Sequence, residues 1–422
     1  SGSGAIERRS LSDVAAVRHG GGPSRLVSEA GCGAVAAGRK GLRMVTKEPS
    51  FTFGIEEEFH LVDCRTRDLA VAPRTLLAAL DQHIGSQVSP EFLRSQIEIG
   101  TRPLSCFKEA RRELSRLRGI VVEVAGQHGL APVASGTHPF AQPSDIETTD
   151  KERYKELDRE LAGAIRGLAA CGMHVHAGIE DEDLRIDLMN QVRYFLPHLL
   201  TLSTSSPFWR GFDTGLKSYR ATVLRRLPRS GLPGLFASWA EYQRTLAVLL
   251  EAGIIEDGTK IWWDLRPSAR FPTLELRICD VCPRVEDALT IAATYLCILR
   301  MLWRRKKSNL KWRTYPVALI QENRWRAQRY GVSGELLDLS IGTLVPFTEL
   351  IEELCELIAE DAGALGCERE VANLRRIANE GTSADRQLRT WKRALDDGFG
   401  EQEAFLAVVD ELAAETAALG KS

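Results

Sequence analysis

The stretch Phe51-Thr-Phe-Gly-Ile-Glu-Glu-Glu-Phe-His-Leu-Val62 reads as a strand with two chemically opposed sides. Successive strand side chains point to opposite faces, so Phe53, Ile55, Phe59 and Leu61 share a side suited to a core. Gly54, Glu56, Glu58 and His60 share the other. Glu57 is the exception, an acid on the apolar side, where it needs a sheet edge or a paired cation. A solvated sheet face produces the same alternation, so this stretch alone does not separate a surface from a site.

Recurrence of the pattern changes the balance. Gln96-Ile-Glu-Ile-Gly-Thr-Arg102 sets Gln96, Glu98, Gly100 and Arg102 opposite Ile97 and Ile99. Gly172-Met-His-Val-His-Ala177 sets His174 and His176 opposite Met173 and Val175, and Leu274-Glu-Leu-Arg-Ile278 sets Glu275 and Arg277 opposite three aliphatics. Four short strands can thus collect carboxylates, imidazoles and guanidinium groups on one face. That composition suits divalent metal and phosphate. The expected fold class is α+β: one antiparallel sheet with helices on its apolar side, because the opposite side is too polar for a second core face.

The chain has 422 residues, 44% hydrophobic and 27% charged, values of a soluble globular protein with ample length for a core. Its 55 basic and 57 acidic residues leave a net charge near −2, so no global positive field recommends a nucleic-acid partner. No signal peptide or long apolar run recommends a membrane, and a reducing cytoplasmic setting is expected. Cys279-Asp-Val-Cys282 is the only close cysteine pair, and no second pair answers it as a zinc site would. Residues 1–48 have no sustained period and begin Ser-Gly-Ser-Gly, so they are expected to be a disordered extension or an expression-derived segment. Residues 49–422 are expected to form a single catalytic domain with a helical C-terminal third.

Within that domain Pro73–His83 is expected to be helical. A second helix carries Phe107, Ala110, Leu114, Leu117 and Val121 as its apolar stripe, with Ser105 as N-cap. Ala131–Phe140 reads as a strand and turn in which His138 sits at the site rim or simply in the turn. A charged helix runs from Asp150 towards Cys171, and another spans Leu184–Ser203. Asp213–Arg220, rich in hydroxyls, cations and glycine, suits the polar ends of a small substrate; an ordinary connection with Trp209 buried is the alternative. Arg225–Gly234 reads as an exposed connection, and Lys260–Arg266 with Phe271–Asp280 as the arms of a hairpin. Val285–Trp303 is a buried helix ending in the solvated run Arg304-Arg-Lys-Lys307. Asn323–Arg326 and Asp385–Gln387 cover the sheet or contribute a rim.

Five motifs in order carry a resemblance: Gly54-Ile-Glu-Glu-Glu-Phe59, Arg94–Arg102, Cys171-Gly-Met-His-Val-His176, Ser206-Pro-Phe-Trp-Arg-Gly211 and Pro272-Thr-Leu-Glu-Leu-Arg277. From about Pro49 to Arg393 the chain resembles the bacterial YbdK-type carboxylate–amine ligases, also called type 2 glutamate–cysteine ligases. The resemblance implies a glutamine synthetase-like antiparallel trough for ATP and Mg²⁺, with Mn²⁺ as the alternative ion. It implies activation of a small carboxylic acid, glutamate, as an acyl phosphate, and attack by a small amine such as cysteine. Glu56, Glu58, Glu98 and Glu275 resemble the metal-binding acids, with Glu58 and Glu275 also counted in the catalytic set. Arg277 matches the position that touches the transferred phosphate, and His174 and His176 border metal and nucleotide. Arg220 and Arg102 are weaker candidates for phosphate or substrate carboxylate.

The chemistry agrees with that set. A carboxylate cannot expel oxide, so it must be activated before an amine attacks, and hard oxygen ligands suit Mg²⁺. Of the two histidines, one is expected on metal or phosphate and the other on a carboxylate. A metal-dependent amidohydrolase could use the same acids and histidines without nucleotide, and a non-catalytic small-molecule binder could retain the trough. ATP consumption that requires both acid and amine separates the three. A homo-oligomer is expected over a monomer.

Overall fold

The alternation in the first motif is real and is the hinge of the architecture. The computed structural model describes residues 47–142, 148–149 and 168–419. The extension and most of the helix from Asp150 lie outside the described residues. In β1 (Phe53–Asp63) the side chains of Phe53, Ile55, Phe59 and Leu61 are buried, while Gly54, Glu56 and Glu58 alternate with them as half-buried positions. Around it run β2 (Val88–Pro90), β3 (Gln96–Gly100), β4 (Leu130–Val133), β5 (Met173–Gly178), β6 (Leu265–Pro267) and β7 (Thr273–Leu276). They form one seven-stranded sheet of order β6-β7-β5-β1-β3-β2, with β4 pairing the C-terminal end of β1. Every pairing in it is antiparallel.

Helices cover the apolar side. α1 (Arg74–Ile84) and α2 (Phe107–Gln127) lie close to their expected positions, and every residue of the predicted α2 stripe is buried. Phe107 stacks on Phe53 with ring centroids 4.6 Å apart. The N-cap of α2 is Cys106 rather than Ser105, and no side chain caps it. The expected Leu184–Ser203 helix is two, α3 (Glu182–Val192) and α4 (Leu196–Ser203), joined by a 3₁₀ turn. Pro197 at the start of α4 has no N–H to continue the first ladder, which accounts for the break. α5 (Arg220–Leu224) and α6 (Trp239–Glu251) follow, then α7 (Val285–Lys307), whose central residues are almost all buried and whose Tyr295 hydroxyl donates to the Leu274 carbonyl of β7.

The C-terminal third contains α8 (Val317–Tyr330), α9 (Phe347–Leu365), α10 (Glu368–Glu380), α11 (Ser383–Asp396) and α12 (Glu401–Ala417). It is not helical throughout: Glu335–Asp338 pairs with Thr343–Pro346 as a hairpin between α8 and α9. The basic end of α7 is less solvated than expected, since Arg304 meets Asp361 at 2.8 Å and Lys306 meets Asp187 at 2.6 Å. Cations there also suit the carbonyl end of the helix dipole. No helix among the described residues is long and apolar enough to cross a membrane.

Glu57 is resolved in favour of a cation. Its carboxylate and the Arg118 guanidinium of α2 form two hydrogen bonds, at 2.5 and 2.8 Å, with both side chains fully buried. Arg118 also donates to the carbonyls of Pro283 and Cys282. The bidentate geometry and the two carbonyls satisfy a charge that water cannot reach.

Candidate active site

Sheet register brings the acids together. Glu275 of β7 lies opposite His176 of β5, His174 lies opposite Glu56 of β1, and Glu58 lies opposite Glu98 of β3. Directly opposed residues sit about 5 Å apart, so three such pairs form one polar stripe over four strands. The stripe floors a cleft of about 530 Å³, within the range of small-molecule sites. Of the residues singled out from the sequence, Glu56, Glu58, Glu98, His174, His176, Arg220, Glu275 and Arg277 line it, and Arg102 does not.

Three overlapping sets of ligand atoms lie within 4.8 Å of one another: Glu56–His176–Glu275, Glu56–Glu98–His174 and Glu58–Glu91–Glu98. Glu56 belongs to two of them and Glu98 to two. His174 Nδ1 is 3.3 Å and His176 Nε2 3.4 Å from the Glu56 carboxylate, while Thr273 Oγ1 fixes the other His176 nitrogen at 2.9 Å. His174 Nε2 is buried without a hydrogen bond, 3.8 Å from Glu58. Glu58 accepts the backbone N–H of Gly172 at 2.5 Å, and Ser89 donates to Glu98 at 3.2 Å.

The charges divide this floor in two. On the β7 side, burial opposes ionisation of Glu275, but Arg277 and then Arg266 outweigh it and hold its carboxyl well below the usual range. Arg266 reaches Glu275 at 2.9 and 3.3 Å, and Arg277 makes a further hydrogen bond to it. At Glu56 burial again opposes ionisation, and the bonds and charges of His174 and His176 prevail. On the β3 side burial, then the charges of Glu91, Glu56 and Glu58, push Glu98 well up. Burial and Arg277 depress His174 towards its neutral form. Burial also opposes charging of His176, but Glu56 and Glu275 raise it.

Several expectations are corrected here. Arg102 is exposed past the end of β3 and does not line the cleft. His60 shares the even positions of β1, yet it is buried beyond the cleft, and desolvation lowers its pKa to about 3. His138 is a turn histidine: its Nε2 bonds the Arg67 carbonyl at 2.9 Å, and it is not at the rim. Of Asp213–Arg220 only Arg220 lines the cleft; Lys217 is held by Asp385 at 2.7 Å and Ser218 by Asp280 at 2.9 Å, while Trp209 is buried. Arg220 donates to the carbonyls of Ile278 and Arg277, bracing the strand end that carries Arg277. A Cβ on Gly172 would lie 2.1 Å from its Nη2, so glycine there lets the guanidinium in.

Other residues enter the cleft that sequence reading missed. Arg225–Gly234, read as an exposed connection, supplies Arg225, Leu227, Ser230 and Gly231 to the wall, with Trp262 and Trp263 beside them. Glu91 lies off any alternating strand and offered no parity signal. Arg266 did offer one, since it stands opposite Glu275 in the expected hairpin. Arg324 of α8 reaches the cleft as a rim residue, paired with Asp264 at 2.8 Å.

Comparison with known proteins places this geometry. The family model described as glutamate–cysteine ligase family 2 matches residues 52–404. The chain belongs to that family. Within it, a Rhodospirillum rubrum protein provisionally named glutamate–cysteine ligase 2 is 55% identical over 88% of this chain and 97% of its own. A Jannaschia protein of the same provisional name is 54% identical over 86% of this chain and 96% of its own. A Francisella tularensis glutamate–cysteine ligase, solved in complex with AMP, shares the fold at a TM-score of 0.64, with 15% identity and coverage of 88% and 90% of the two chains. Family membership makes this chain a ligase, and the α+β antiparallel fold is that of glutamate–cysteine ligases.

Proposed function

We propose that the chain joins the side-chain carboxylate of glutamate, or a similar small acid, to a small amine such as cysteine at the expense of ATP, through an acyl phosphate. The observation that carries this reading is the stripe of overlapping acid and imidazole sets beside Arg277 and Arg266, in one cleft on a sheet. The same reading takes residues 49–422 as one catalytic domain, supported by a main apolar core that runs from Phe51 to Ala378 and by a smaller cluster that packs Phe405, Val408, Val409 and Leu412 on Val62 and Val133 of the sheet. It also includes a cytoplasmic homo-oligomer; free thiols at every described cysteine accord with a reducing setting, and sedimentation would test the assembly.

The residues fit a divalent metal. Glu98 sits among three like charges, and His174 Nε2 is buried without a hydrogen bond among the described residues. Glu56, Glu58, Glu98 and Glu275 are hard oxygen donors suited to Mg²⁺, and two imidazoles make Mn²⁺ acceptable. When bound, such ions supply charge neutralisation on the nucleotide phosphates. Arg277 contributes a planar fork for the phosphate being transferred, and Glu275 with the Arg220-braced backbone holds that fork in place. His174, kept neutral, can donate or accept at Nε2 towards phosphate or metal, while His176 holds Glu56.

Wild-type protein with Mg²⁺ or Mn²⁺ should release ADP only when both an acid and an amine are present. Glutamate labelled with ¹⁸O in its side-chain carboxylate should deliver one label to inorganic phosphate. Label in AMP would replace the acyl phosphate by adenylation, and turnover of an amide without nucleotide would favour a hydrolase.

A further inference from the structure

The cleft arginines differ in how they are used. Arg266 and Arg277 are engaged by Glu275, Arg324 by Asp264, and Arg220 by backbone carbonyls. The Arg225 side chain lines the same cleft and makes no hydrogen bond or ion pair among the described residues; only its backbone N–H is engaged, by the Val223 carbonyl. Its side chain is exposed, but it has a defined seat. Its guanidinium is seated on Gly231: a Cβ built there would lie 2.1 Å from Nη1 and 3.3 Å from Cζ, and Gly231 has φ +89°. Only glycine combines that backbone conformation with room for so close an approach. Arg270, exposed like Arg225, also lines the cleft and has no side-chain partner among the described residues, but it stands on the β6–β7 turn without such a seat.

Arg220, Leu224 and Arg225 all face the cleft from α5 and its C-cap, so the short helix runs along the wall. Five residues of helical rise put Arg225 about 7 Å along that axis from Arg220, which braces the Arg277 backbone. That offset is about the length of an amino acid. A held, unpaired guanidinium facing a cleft is a fork for oxyanions.

We infer that Arg225 is an oxyanion-recognising residue of the cleft, binding a carboxylate or phosphate group that a substrate carries away from its reacting end. The inference rests on the ligase reading. The ligand's oxyanion can come from glutamate, from an amino-acid amine or from the nucleotide, and each source is a separate arm of the test. Binding of Mg-ADP, L-glutamate and L-cysteine is measured one at a time by calorimetry on wild type, Arg225→Met and Arg225→Lys. Methionine keeps most of the stem and removes the fork. Arg225→Met should weaken one of the three by about tenfold or more and leave the others within about twofold, with Arg225→Lys in between. If cysteine is the affected arm, cysteamine, which lacks the carboxylate, should bind wild type and variant alike. Unchanged binding of all three by a folded Arg225→Met protein would overturn the assignment and leave the ligase reading standing. Failure of wild type to bind any of them, with no ADP released in any acid–amine mixture, would overturn both.

Discussion

The two faces of β1 handle negative charge in opposite ways. On the apolar face Glu57 is alone, fully buried, and matched by one bidentate arginine and that arginine's two carbonyls. On the polar face Glu56, Glu58, Glu91 and Glu98 gather in overlapping ligand sets, while Arg266 and Arg277 hydrogen-bond Glu275. The first arrangement is complete without a ligand. The second is incomplete: burial first, and then repulsion from Glu91, Glu56 and Glu58, push Glu98 up. Complete neutralisation belongs to folding, and incomplete neutralisation belongs to binding.

The sharpest way to break this contrast is to compare neighbours in the strand. Glu57→Gln leaves Arg118 buried without a counter-ion and should cost about 3–5 kcal/mol of unfolding free energy, read by denaturant titration. Turnover per folded molecule should change little. Glu58→Gln is the counterpart: stability near wild type, and Mg-ATP turnover reduced roughly 10²–10³-fold. Arg277→Lys keeps the charge and loses the fork, so its loss should fall on kcat more than on nucleotide binding. Equal stability losses at positions 57 and 58, or a turnover defect confined to position 57, would refute the division of labour.

Why one face was legible and other parts were not follows from the physics of each. The acids of β1, β3 and β7 and the histidines of β5 could be found because side-chain parity in a strand is strict, and antiparallel register then aligns them. Parity also nominated His60, and it failed there because a face says nothing about where along the strand the cleft stops. Arg102 failed for the same reason at the end of β3. The wall was least legible: Arg225, Glu91 and Trp262 arrive from short connections whose direction depends on tertiary contacts. Polar composition made Asp213–Arg220 look like a substrate loop, when Ser218 satisfies Asp280, Lys217 satisfies Asp385, and Thr214 and Arg220 donate to backbone carbonyls. Burial decided between those meanings, and composition does not report burial.

The contrast between paired and unpaired titratable groups extends to histidines buried away from the cleft, at the dry end of β1 and in α4. His60, His138 and His198 are all buried, with desolvation lowering His60 to about 3 and the other two to about 4. Each folded value is below the ordinary histidine value, so the unfolded chain binds more protons. Their contribution is present above about pH 6.5 and is lost as pH falls through the folded values. By pH 5 the loss is about 2 kcal/mol for each. Denaturation at pH 7 and pH 5 should therefore show less pH sensitivity in His198→Gln than in wild type. The difference between the two proteins cancels the site carboxylates, and an identical pH slope would show that His198 is charged or solvated in the fold.

The smallest effect tests the repulsion itself, and its useful feature is a change of sign. Without divalent metal, Glu98→Gln removes one charge from a group that burial, Glu91, Glu56 and Glu58 all oppose, while an amide still accepts from Ser89. The variant should melt at or above wild type, by roughly 0.5–1 kcal/mol, about 1–2 °C for a chain of this size. Added Mg²⁺ or Mn²⁺ should reverse the order, because the ion stabilises the folded state only as tightly as the site binds it, and Gln is the poorer ligand. Differential scanning fluorimetry with chelator and then with metal reads both halves on one sample. A variant that melts below wild type in chelator would mean that Glu98 is already neutralised within the fold, as Glu57 is. A variant that gains as much as wild type from metal would remove Glu98 from the ligand set and leave the contrast between the faces resting on Glu56 and Glu58.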